Sequence, residues 1–291
     1  MGKFAYLKRS LTSRLDKRRM RCPNCGAASG TIIDTKYFIT DLRRCEICFL
    51  QYRTPTDDPN LNSHYYDTEY TQGMTTAIPS EENLRILKGS GFKNTDRDFS
   101  YYLSVLHKLG LRSNDKLFDF GCSWGYGSYQ FALAGFDVRS FEIAARRRSF
   151  ASDHLGVQVV SDMDVFSERN AQQFDCFFSA HVLEHVPSPS RIFGYAHSLL
   201  KLGGLFVAFV PNGSQEHRNV SKQWSYLWGE VHPNFLDDEF FDKSFDLVPR
   251  SIGSSPITNA FVSDRAELNR LGCLDGDELF FVARKTRQSW S

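Results

Sequence analysis

Residues 116–127 read Lys-Leu-Phe-Asp-Phe-Gly-Cys-Ser-Trp-Gly-Tyr-Gly, and no other stretch constrains the chain as much. A short apolar run holding one acid, Leu117 to Phe120, meets three glycines within seven residues. A helix-compatible run then covers 128–134. That order belongs to a buried parallel strand, a tight turn and a helix start. Glycine lets the backbone turn sharply and lets a ligand come close. A helix start presents unpaired N–H groups. Asp119 narrows the kind of ligand, because a carboxylate here repels a pyrophosphate and suits a cationic amino group. The spacing Gly121-x-x-x-Gly125-x-Gly127 also departs from the G-x-G-x-x-G of dinucleotide sites.

From Lys116 onward strands and helices alternate. Strands are expected at 137–143, 157–160, 174–179 and 203–210, with helices at 144–155 and 190–200. Two later strand candidates, 251–262 and 278–283, would close the sheet as an antiparallel pair. Alternation of this kind implies an α/β fold with a parallel, doubly covered sheet. Ligands of such sheets sit at the carboxyl ends of the strands. Those ends carry Asp119, Glu142, Asp162 and Ser179. Buried acids are costly unless they bind something. Glu142, with Ile143 beside it, lies about twenty residues after the first glycine, where a ribose-binding acid belongs. Asp162 can accept a hydrogen bond from an adenine amino group while Met163 covers the ring. NAD is the rival ligand, and the missing phosphate fingerprint and Asp119 count against it.

These residues resemble motif I, D-x-G-x-G-x-G, of the class I S-adenosylmethionine methyltransferases. Ser123 replaces the middle glycine, so the turn there is expected near β or αR geometry, or slightly strained. After the fourth strand, His181-Val-Leu-Glu-His185-Val-Pro187 is similar to the "LEHVP" signature of small-molecule methyltransferases. The resemblance implies a Rossmann-like, seven-stranded fold. It implies S-adenosylmethionine held by Asp119, Gly121, Ser123, Gly125, Glu142, Ile143, Asp162, Met163 and Ser179. A hydroxyl acceptor needs help losing its proton. His232, in the loop after the fifth strand, is the favoured base, with His181, Glu184 and His185 as further catalytic candidates. The alternative for His232 is a cap on a following helix. The ubiquinone-type O-methyltransferases and small-RNA 2′-O-methyltransferases carry a divalent metal on E-x-x-E-H at this point. Here His181 replaces the first Glu, which counts against a second metal, as does the abundance of metal-free relatives.

Cys22-Pro-Asn-Cys25 and Cys45-Glu-Ile-Cys48 have the spacing of a four-thiolate zinc site. Four thiolates leave no open position, so this zinc is expected to be structural. Two disulfides are the alternative. A module this small needs its metal to fold. Sugar methyltransferases with an N-terminal four-cysteine module resemble this arrangement, although they carry a further C-terminal domain. The expected organisation is a basic segment over 1–20, a zinc ribbon over 21–56, a linker with lid helices over 57–108, and the methyltransferase domain over 109–291. Helices are read at 81–88 and 98–109. Cys122, Cys176 and Cys273 read as small core residues, and the scattered odd count suits a reducing, cytoplasmic setting.

Hydrophobic content of 41%, charged content of 24% and a net charge of +1 are those of a globular chain without a global case for nucleic acid. No apolar run reaches the roughly 18 residues of a membrane span, and no apolar signal core is read at the start. Residues 2–21 are strongly basic, with Phe4, Leu7, Leu11 and Leu15 at helical spacing. This reads as a packed surface helix, or as a contact for an acidic membrane surface or nucleic acid. The acceptor is expected to be a hydroxyl or carbon of a sugar, glycan precursor or natural product. RNA methylation and a non-catalytic docking role are the alternatives. Trp224, Tyr226 and Trp228 in the 212–234 insertion, with Tyr65, Tyr66 and Tyr70, are read as acceptor walls or as loop packing.

Overall fold

The computed structural model describes residues 3–57, 75–256, 268–288 and 290. Tyr65, Tyr66, Tyr70 and the end of the 251–262 strand lie outside them. A helix α1 (Lys3–Ser13) precedes three antiparallel strands, β1 (Gly30–Lys36), β2 (Thr40–Cys45) and β3 (Gln51–Thr54). Helices α2 (Glu81–Gly89) and α3 (Ser100–Lys108) follow, at the places read from the sequence. Ser80 caps α2 by accepting from Asn83 N.

The main sheet begins with β4 (Lys116–Phe120), α4 (Tyr126–Leu133), β5 (Asp137–Phe141), α5 (Ala145–Leu155) and β6 (Val159–Val160). It continues through α6 (Met163–Arg169), β7 (Phe174–Ala180), α7 (Pro189–Leu199) and the long β8 (Leu200–Pro211). After α8 (Gln215–Val220) and β9 (Asn234–Phe235) come α9 (Asp238–Ser244), β10 (Arg250–Ser254), β11 (Arg270–Leu271) and β12 (Glu278–Arg284). The spatial order is β11-β10-β12-β8-β7-β4-β5-β6. Strands β4 to β8 are mutually parallel, and β12 runs antiparallel to both β8 and β10, the expected closing pair. The two-residue β11, parallel to β10, extends the seven expected strands to eight.

The strands alternate faces as a doubly covered sheet requires. Phe118, Phe177, Phe206 and Phe281 pack on one side with Phe193 of α7 and Phe240 and Phe241 of α9. Leu117, Phe178, Val207 and Phe209 pack on the other with Phe131 of α4 and Val105 and Leu106 of α3. The order places β4 between β5 and β7, so the turn after β4 opens at the switch point where such sheets bind ligands.

The ribbon is not built from residues 21–56 alone. Its fourth strand is β9, from the loop after β8, which pairs with β3 through Gln51↔Phe235 and Tyr52↔Asn234. Arg53 N donates to Pro233 O at 2.7 Å. Trp228 and Phe235 share a small core with Leu42 of β2. Of the two readings left open for these aromatics, loop packing holds for Trp228, which is buried, and for half-buried Trp224, stacked on Phe235; Tyr226 is exposed. Cys122 and Cys176 are core residues, but Cys273 is exposed and lies 2.8 Å from Asp275 Oδ1.

Candidate functional site

The turn after β4 owes its shape to steric limits at two glycines. Gly121 has φ +87°, and a Cβ there would lie 2.3 Å from Val182 in the turn after β7. Gly127 lies under the Phe99 ring, again 2.3 Å from such a Cβ. Ser123, in the middle-glycine position, takes the left-handed conformation at φ 54°, so the strained alternative is the one adopted. Gly125 precedes α4 at its N-terminus.

Both expected acids meet this turn. Glu142 accepts Ser123 N at 2.9 Å and Ala144 N at 2.8 Å, and so ties the turn to the end of β5. Burial raises its pKa. Asp119 is buried and accepts Ser128 Oγ at 2.5 Å. Burial pushes its carboxyl up to about 7, Ser128 pulls it down, and nearby Glu142 adds to the rise. A buried acid under strain of this sort is ready for a cationic partner. The Ser123 and Ser179 hydroxyls are buried without a hydrogen-bond partner, so both have unused capacity facing the strand ends. Met163 is buried and Ile143 exposed. Asp162 is exposed and caps α6 by accepting Val165 N at 3.0 Å, a local role the sequence reading did not assign it.

The turn after β7 carries the other half. Glu184 is 2% exposed, and neither carboxylate oxygen has a hydrogen-bond partner. One ligand-capable atom each from Glu184, His185 and His232 lies within 4.8 Å of the others. His185 Nδ1 is 2.7 Å from Val231 O, and His232 Nδ1 is 2.9 Å from Leu227 O. A carbonyl only accepts, so each Nδ1 carries its proton and donates it. In a neutral ring Nε2 then holds the lone pair. Burial lowers the His185 pKa and keeps that ring neutral. Burial opposes ionisation of Glu184, but the His181 contact and the nearby imidazoles win and hold its pKa low.

His181 does not join this trio. It sits at φ 55° and turns to Glu278, with Nε2 2.7 Å from Oε1 and Nδ1 3.6 Å from Glu184. Burial would lower its pKa, but the two carboxylates raise it to about 10. Glu278 was not singled out in the sequence. It also accepts from Tyr102 at 2.8 Å and Ser255 at 2.7 Å, which ties α3, β12 and the turn after β7 together. His232 is not a helix cap, because Asp237 caps α9 by accepting Phe240 N. Asn234 is a further missed residue. Its N donates to Glu184 O at 3.1 Å and its Nδ2 to Val186 O at 2.6 Å, which clamps the His232 loop to the Glu184 turn.

The four cysteine sulfurs lie within 4.8 Å of one another, with Cys22–Cys48 at 3.6 Å and Cys25–Cys45 at 3.5 Å. A disulfide needs about 2.05 Å. A tetrahedron with Zn–S bonds of about 2.3 Å has edges of about 3.8 Å, so the set fits a four-thiolate metal.

The profile of the family described as "Methyltransferase domain" matches residues 82–246. The chain belongs to the methyltransferase-domain family. The chain is 21% identical over 215 residues to a sterol 24-C-methyltransferase of Debaryomyces hansenii, covering 66% of this chain and 54% of that protein. It is 29% identical over 127 residues to a ubiquinone biosynthesis O-methyltransferase of Paraburkholderia phymatum, covering 42% and 51%. The chain thus spans about half the length of the curated relatives it matches. Among solved structures, geranyl diphosphate C-methyltransferase of Streptomyces coelicolor aligns with a TM-score of 0.47 and 18% identity, over 78% of this chain and 98% of that one. The family match supports S-adenosylmethionine-dependent methyl transfer as the chemistry of the domain. No helix among the described residues is long and apolar enough to cross a membrane.

Proposed function

We propose that the protein is an S-adenosylmethionine-dependent methyltransferase acting on a hydroxyl of a small molecule such as a sugar, glycan precursor or natural product. One observation carries the choice of a hydroxyl. His185 and His232 each donate Nδ1–H to a backbone carbonyl, which leaves their Nε2 atoms as the proton-accepting nitrogens beside buried Glu184. Val182 lies against Gly121, so this trio adjoins the motif I turn. In this reading Asp119 takes the amino group of the donor, Glu142 its ribose hydroxyls, and Asp162 with Met163 its adenine. Methyl transfer is an in-line displacement at a sulfonium carbon. His232 Nε2 takes the acceptor proton as the oxygen attacks.

A second reading is supported by Glu184, whose two buried oxygens make no hydrogen bond, with Oε1 meeting imidazole nitrogens at 3.6 and 3.8 Å. Glu184, His185 and His232 form a carboxylate–imidazole set suited to a divalent cation. Such a cation would lower the pKa of a bound hydroxyl. His181, tied up by Glu278, stands outside that set. The four cysteines hold a structural zinc in either reading.

The test is His232→Ala, assayed by calorimetry with S-adenosylmethionine and by turnover on a panel of hydroxylated acceptors. Unchanged donor affinity with loss of turnover is expected. A fully active variant retires His232. Full activity of wild type after chelation at the trio, with the cysteine site still loaded, excludes the second reading.

A further inference from the structure

The charge of this chain is unevenly distributed. Residues 3–21 hold eight Lys or Arg and one acid, Asp16, while the whole chain carries only +1. The basic segment contains α1 and the turn after it, and it does not lie apart from the ribbon. Arg14 donates to Phe38 O at 3.0 Å and to Asp41 at 2.8 Å, which pins the end of α1 to the tip of the β1–β2 hairpin.

That shared end is apolar and uncovered. Phe38 is 94% exposed, Leu15 87% and Leu11 57%, and Tyr37 beside Phe38 is half exposed. Single exposed apolar residues are ordinary, but a group of large ones at a protruding tip is not. The tip also has a backbone cost. Tyr37 and Phe38 both sit in the left-handed region, at φ 54° and 57°. Gly or Asn would take those positions with less strain. At 94% exposure, the Phe38 ring held at this strained turn adds nothing to the core of the ribbon.

We propose that this face docks on an anionic lipid surface. Leu11, Leu15 and Phe38 would enter the headgroup–acyl boundary, and Lys8 and Lys17, both exposed, would meet the lipid phosphates and carboxylates. Two features favour a membrane over nucleic acid. Leu11 and Leu15 are aliphatic and gain from hydrocarbon but offer no stacking face to a base. Lys8 and Lys17 lie within three residues of Leu11 and Leu15, and such mixing of basic and apolar groups is the composition of interfacial segments. Single weak anchors bind reversibly, and each basic residue near an anionic leaflet adds to them.

The test is co-sedimentation of the full chain with vesicles of phosphatidylcholine alone, or of phosphatidylcholine and phosphatidylserine at about 3:2, at low and high salt. Binding to the mixed vesicles, lost in high salt and at least tenfold weaker on pure phosphatidylcholine, is expected. The double variant Leu15→Ser, Phe38→Ser and the charge variant Lys8→Gln, Lys17→Gln should each weaken it at least tenfold. Both should keep wild-type affinity for S-adenosylmethionine. Equal binding to the two vesicle types, or wild-type binding by the Leu15/Phe38 variant, overturns the proposal. So does tight, salt-sensitive binding of a single-stranded RNA that the Leu15/Phe38 variant retains while no vesicle binding is seen.

Discussion

The Trp228 indole N–H donates to Asp34 Oδ2 at 3.0 Å, so a strand of the ribbon holds the loop that carries His232. Lys36, two residues along the same strand, donates to the carbonyls of Ser225 and Trp228 and lies 4.2 Å over the Trp228 ring. With β9 added to β3, the loop is fixed at both ends by the ribbon. The ribbon and the proposed base His232 are therefore mechanically joined, although the motif I turn lies elsewhere.

Trp228→Phe is expected to keep the apolar contact with Leu42 and remove the bond to Asp34. A net loss of about 1 kcal/mol of stability follows from one such bond. Turnover should fall several-fold because His232 loses a fixed support, and S-adenosylmethionine affinity should stay unchanged. Calorimetry and kinetics on one preparation separate the two. A fall in donor affinity instead would mean that the loop also supports the motif I turn.

Stripping the zinc proposed for the four cysteines should have a similar signature on a larger scale. Without it, β3 loses the knuckles that position it, and β9 loses its partner. Trp228, now buried at 2% exposure, should become solvated, so tryptophan emission should shift to the red. Restoring zinc should reverse the shift. Loss of metal without any change in emission would show that the loop holds itself.

Much of this was legible from residue order. The strand–turn–helix at 116–134 and the acids at 119 and 142 depend on local patterns that survive in sequence. The four cysteines did too, because metal ligation imposes its own spacing. Contacts between distant segments were not legible. Glu278 meets His181 across 97 positions, and Asn234 clamps the Glu184 turn through its side-chain amide. No periodicity records such pairings. Trp228 could be read either as an acceptor wall or as loop packing, because a loop tryptophan gives no sign of the ribbon strand that buries it.

Glu184→Gln tests the trio directly. The amide is nearly isosteric, so the turn after β7 should persist, but the buried negative charge is lost. Turnover is expected to drop at least a hundredfold with donor binding intact. If a divalent cation serves the site, its binding measured by calorimetry should vanish in the same variant. Retained cation binding at the trio would remove Glu184 from the set.

Asp119 gives a prediction with a definite sign in pH. Its carboxyl has an ordinary pKa near 3.8 and is raised by burial to about 7 in the ligand-free fold. Below about pH 4 both folded and unfolded chains bind this proton, and Asp119 contributes no pH dependence. Between about 4 and 7 the unfolded chain ionises while the fold holds the proton, so stability falls as pH rises. Above 7 both are ionised and the loss is complete, at most about 4 kcal/mol for a shift of this size. Asp119→Asn does not ionise. Its stability relative to wild type, from urea unfolding without ligand, should therefore grow from pH 4 to 7 and then level off. The same variant should lose S-adenosylmethionine binding, because the charge that burdens the empty fold is the one that meets the donor's amino group. A stability difference that stays flat across pH would show that Asp119 is ionised throughout.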